Sequence, residues 1–94
     1  MKLEKARRVL SAMDRIVKRG EHFNWSGLTH IAKESGLIRQ TTYRYLLGLI
    51  ELGYVERHEH SYHRADAYRY YMTAAGKNFL RSFVEINGLE TVTS

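Results

Sequence analysis

Between Gly36 and Ile50 the chain carries two arginines, a glutamine, two threonines and two tyrosines, with no acidic residue among them. At helical spacing Arg39, Gln40, Thr41, Tyr43 and Arg44 form a polar and basic face. Thr42, Tyr45, Leu46, Leu49 and Leu52 form an apolar one. The chemistry open to the first set is hydrogen bonding to base edges and phosphates. A guanidinium reaches guanine O6 and N7 with two hydrogen bonds, and a glutamine amide does the same for adenine. On that ground Arg44 and Gln40 are expected to read bases. Arg39, at the entry, is expected at a phosphate, and Thr41 and Tyr43 at either. The plainer alternative is an amphipathic helix with a solvated face.

Other chemistry has less to stand on. A nucleophile needs an adjacent base and an orienting group, and no serine or histidine here has such spacing, so no catalytic residue is expected. His58, His60 and His63 make an HxHxxH run. On a strand two of these imidazoles share a face, yet no cysteine or placed carboxylate completes a site. They are read as histidines of an exposed loop, with no metal and no other cofactor. The chain has no cysteine, which removes disulfides, thiolate nucleophiles and cysteine-based zinc sites.

Elements must hold the basic face in place. Residues 2–19 place Leu3, Ala6, Val9, Leu10, Met13, Ile16 and Val17 at intervals of three and four, which predicts a helix with one buried side. Gly20 is its expected stop. His22–Trp25 reads as a short strand with Phe23 and Trp25 on one face. Ser26 is placed to cap a second helix over 27–35, which Gly36 ends. A third helix follows over about 40–52, with Gly53 as its stop. Tyr54–His58 and Ala67–Met72 alternate as strands of a hairpin, with a polar segment between them. Thr73 caps a last helix over about 74–86, and Gly88 is its expected breaker. Tyr54, Tyr68 and Tyr70 are expected to face inward.

The order is helix, short strand, helix, helix, hairpin, helix: a mostly α fold with a small β-hairpin. It is the winged helix-turn-helix arrangement, a three-helix core plus a wing and a C-terminal helix. SGLTHIAKESGLIRQTTYRYLLGLIELGYVER resembles the DNA-binding segment of winged-helix transcriptional regulators of the IclR type. YRYYMTAAGKNFL is similar to the strand-to-helix junction of MarR- and PadR-like regulators. Ile38 stands where many relatives carry proline, and Gln40 where a Ser or Thr cap is usual. The resemblance implies a single winged-helix domain over 1–94. Its recognition helix covers about 40–52, and its wing about 54–72. With 94 residues no effector-binding domain is expected, and no ligand-sensing role is carried over.

The expected partner is double-stranded DNA, in keeping with a formal charge of +5. Ser26 and Thr29, with His30, lie where a helix N-terminus meets a phosphate. Arg64 at the wing tip is expected in the minor groove or at a phosphate, with Arg57 and Arg69 as weaker candidates. A homodimer is expected through the first helix, the last helix or both, using Leu3, Leu10, Phe79, Phe83 and Val84. No small-molecule ligand is evident. No stretch approaches the roughly 20 apolar residues of a membrane span, and a cytoplasmic, nucleoid-associated place is expected. Two other readings stay open: a winged-helix protein-interaction module, and an RNA or single-strand binder.

Overall fold

The fold is given by a computed structural model that describes the backbone of residues 2–20, 24–59 and 68–93, and side chains as far as Phe83. Among these residues the order is α1 (Leu3–Lys18), α2 (Leu28–Ser35), α3 (Arg39–Glu51), β1 (Val55–Glu59), β2 (Tyr68–Met72) and α4 (Ala74–Thr93). The mostly helical winged helix-turn-helix arrangement is present. The strands pair antiparallel, with Val55 opposite Met72, Arg57 opposite Tyr70 and Glu59 opposite Tyr68.

Helix α1 is the central element and packs on α2, α3, α4 and β2. Ala6, Val9, Leu10, Ala12, Met13 and Ile16 are buried along it. They meet Leu28 and Ile31 of α2, Leu46 and Leu49 of α3, Val55 and Tyr70 of the hairpin, and Leu80 of α4. This corrects two expectations. Leu10 is fully buried in the core and is not available to a partner chain. Leu52 is 59% exposed, because it is the C-cap of α3 and turns away from the core. Leu3 is 60% exposed.

Glycine stands on both sides of α3. Gly36 has φ 73°, the left-handed conformation that ends α2. The turn behind it is held from α1: Arg8 donates from Nε and Nη2 to the Ser35 carbonyl at 3.1 and 2.8 Å. Gly53 has φ 82°. Its N–H bonds the Ile50 carbonyl at 3.0 Å, and the Tyr54 N–H bonds Leu49 at 2.9 Å. These are the paired bonds of a Schellman ending, and they release the chain directly into β1.

Ser26 does not cap α2. The N-cap is Gly27, with no side-chain bond. Ser26 is fully buried because its backbone pairs with Tyr70, N–H to carbonyl in both directions at 3.0 and 2.9 Å. The residue is the stub of a third strand beside β2, and burial there removes it from any phosphate. His22 and Phe23 lie outside the described residues. The third helix begins at Arg39 after Ile38, again without a side-chain cap. Gln40 is therefore inside the helix. Helix α4 continues through Gly88 to Thr93. A glycine inside a helix costs about 1 kcal/mol relative to alanine, which disfavours a helix without ending it.

Candidate nucleic-acid interface

Helix α3 turns Thr42, Leu46 and Leu49 into the core and leaves Arg39, Gln40, Tyr43, Arg44 and Leu47 exposed. Thr41 is half-buried at the edge. The buried Thr42 hydroxyl donates to the Ile38 carbonyl at 3.0 Å, which keeps its polar atom satisfied and the rotation of the helix defined. The polar face expected from spacing is therefore the face that the core presents outward.

The first turns of α2 and α3 lie side by side. Arg39 Nη1 donates to Thr29 Oγ1 at 3.2 Å, so these two expected contact residues are brought together. Leu28, Arg39, Gln40, Tyr43, Tyr68 and Tyr70 line a concavity of about 470 Å³ between the helices and the wing. Its lining combines three tyrosines with one arginine, one glutamine and one leucine.

On the wing, Arg57 stands opposite Tyr70 in the ladder, with its guanidinium 4.2 Å from the centroid of the Tyr68 ring. Burial opposes the charge on Arg57, but the influence of the Tyr43 and Tyr70 hydroxyls outweighs it and favours the charged form. Burial pushes the Tyr70 phenol upward, and the Arg57 cation draws it part of the way back. Spacing placed Arg57 on a strand, and its position over the Tyr68 ring is set by the pairing of the hairpin. Strand alternation carried part of the signal, because Arg57 shares the face of the apolar Val55.

The remaining expected residues are spread more widely. Arg69 lies on the other side of the hairpin with its guanidinium 4.3 Å from the Trp25 ring centroid. His30 is half-buried on α2. Arg64, His60 and His63 lie outside the described residues. His58 Nε2 is 3.5 Å from a Glu56 carboxylate oxygen and its ring meets Tyr71 edge-on. Among the described residues no three metal-ligating side chains gather, and no helix is long and apolar enough to cross a membrane.

The side chains expected at a dimer contact are largely engaged within the chain. Phe79 stacks on Tyr54 at 4.6 Å between centroids. Phe83 meets Phe79 edge-on at 4.9 Å. The Val84 side chain lies outside the described part.

Solved structures share this architecture. Sso10a-2, a DNA-binding protein from Sulfolobus solfataricus, matches with a TM-score of 0.64 at 17% identity, over 93% of this chain and 85% of that one. FabT of Streptococcus pneumoniae, solved in complex with DNA, matches with a TM-score of 0.65 at 17% identity. That match covers 99% of this chain and 59% of FabT. The DNA-binding TubR fragment from Clostridium botulinum matches with a TM-score of 0.54 at 19% identity, over 79% of this chain and 91% of that one. At such identities the likeness is one of fold. No curated protein matches the sequence. The IclR helix-turn-helix domain model matches residues 3–59, a span that contains α1, the glycine-bounded turn, α3 and the first wing strand. The chain belongs to the IclR helix-turn-helix domain family.

Proposed function

We propose that this domain is a sequence-specific regulator that binds double-stranded DNA, with α3 in the major groove and the wing on the minor groove or backbone. The observation that carries the reading is the outward face of α3. Arg39, Gln40, Tyr43 and Arg44 are exposed there, on a helix without an acid from Gly36 to Ile50. The fold likeness to Sso10a-2, FabT and TubR supports the same use. Arg44 and Gln40 read base edges, and Arg39 meets a phosphate at the junction with Thr29. Thr41 and Tyr43 complete the contact, and Arg64 extends it from the wing tip. The domain spans 1–94 and acts by binding rather than by catalysis.

Selection of duplexes from a random pool tests this directly, because it returns a motif or none. Binding to the selected duplex weakens steeply as salt rises, since neutralised phosphates release counterions. Salt-independent or absent binding instead supports a protein-interaction module. Stronger binding to single strands or to duplex RNA of the same sequence supports an RNA or single-strand binder. Arg44→Ala is expected to cost about 1–3 kcal/mol on the selected site and to relax its base preference. Equal losses on selected and random duplexes make Arg44 a phosphate contact.

A further inference from the structure

The outward face of α3 carries an aliphatic side chain among its polar ones. Leu47 is 38% exposed, while Leu46 and Leu49 on either side of it in sequence are fully buried. Ile38 and Leu52, the other exposed aliphatic residues of this segment, are the caps of the helix. Leu47 lies within it. It follows Gln40 by seven residues, Tyr43 by four and Arg44 by three, spacings that put all four on one side of a helix. The core therefore takes the leucines before and after it, and Leu47 is left on the face that carries Gln40 and Arg44.

We propose that Leu47 determines part of the base specificity by packing on the 5-methyl group of a thymine in the major groove, beside the base that Arg44 reads. The inference rests on α3 being the DNA-reading helix. Three arguments support it. The thymine methyl is the apolar group that base edges present in the major groove, so it is the match there for an aliphatic side chain. Arg44 and Leu47 are separated by about 4.5 Å along the helix axis, at 1.5 Å per residue. Successive bases of a strand are about 3.4 Å apart, so a base next to the one at Arg44 is within reach. Glu51, one turn beyond Leu47, is exposed and is the first acid of α3. Its charge is repelled by phosphates, so the basic part of the face ends at Leu47. A contact at that boundary gains from apolar burial and asks nothing of the backbone charge.

The test uses the full chain and a duplex selected by the wild type. Each thymine of that duplex is replaced in turn by uracil, which pairs in the same way and lacks only the methyl group. At one thymine or its symmetry mate, the wild type is expected to bind the uracil duplex about fourfold more weakly, the worth of one buried methyl. Leu47→Ala is expected to bind the thymine and uracil duplexes equally, with the slope of its salt dependence unchanged, since no phosphate contact is lost. Leu47→Met keeps an apolar side chain of similar size and retains the uracil response. Leu52→Ala, which trims the exposed C-cap leucine instead, retains it too. The proposal is overturned if the selected motif holds no thymine, if no uracil weakens the wild type, or if Leu47→Ala responds to uracil as the wild type does. A lower particle mass for Leu47→Ala with an intact uracil response assigns Leu47 to a contact between chains and also overturns it. Duplex binding without a uracil response removes this inference and leaves α3 as the reading helix; binding to no duplex removes both.

Discussion

Thr73 and Gly76 show how two residue types three apart build a junction. The Thr73 hydroxyl donates to the Gly53 carbonyl at 2.7 Å and accepts the Gly76 N–H at 3.0 Å. The first bond ties the end of the hairpin to the stop of α3, and the second caps α4. A Cβ at Gly76 collides with the Tyr54 carbonyl oxygen and stands 2.9 Å from the Met72 side chain. That carbonyl cannot swing aside freely, because it accepts the Thr73 N–H. Gly76→Ala is therefore expected to destabilise the domain by about 1–3 kcal/mol, as overpacking does. In urea the midpoint falls while the slope is unchanged; an unshifted midpoint shows that α4 can move away at little cost. The Thr-x-x-Gly step was legible as a motif, and its cap reading held. The role of glycine in it was not legible, since the atom it makes room for lies 22 positions earlier in the chain, on Tyr54.

At the scale of elements, two cations at the C-terminal end of α1 hold α2 in place. Arg15 Nε and Arg19 Nη2 bind the two carboxylate oxygens of Glu34 at 3.0 and 2.8 Å. The hydrogen bond from Arg19, and then that from Arg15, holds the Glu34 carboxyl below its usual range. A depressed carboxyl contributes stability that is present above its unfolded value, near 4.5, and is lost as pH falls through the folded one. Glu34→Gln is thus expected to lower the thermal midpoint at about pH 7. As pH falls through the folded value, where the wild-type carboxylate is also protonated, the difference shrinks. A difference that does not change with pH assigns the effect to packing instead. The pair is at the surface, so the effect is modest and shrinks with added salt.

The whole molecule measures 50 × 26 × 23 Å along its principal axes, longer in one direction than a domain with all helices packed side by side. Helix α4 has 20 residues, about 30 Å at 1.5 Å per residue. A homodimer built on this helix and on the exposed Leu3 is our proposal for the assembly, with Phe83 and Val84 as further contact residues. It suits paired half-sites separated by about one helical turn of DNA. Light scattering is expected to return twice the chain mass of 11.0 kDa. A particle of one chain mass at high concentration removes the dimer, and with it the expectation of a two-fold symmetric site.

Local pattern alone was enough for the existence of the helices and the hairpin, for the stops at Gly20, Gly36 and Gly53, and for the outward face of α3; it failed at Gly88, which α4 passes through. Each depends on periodicity or on backbone freedom within a few residues. Three assignments needed the folded chain. Ser26 has the chemistry of a cap, yet its backbone is claimed by Tyr70, 44 positions later. Leu10 and Leu3 are the same residue type on one helix, and only the packing of four elements around α1 buries the first and leaves the second exposed. Arg57 is a candidate DNA contact by residue type, and its place over the Tyr68 ring exists only when the two wing strands pair. In each case the deciding partner is distant in sequence, so the choice between two uses of one side chain belongs to tertiary contact.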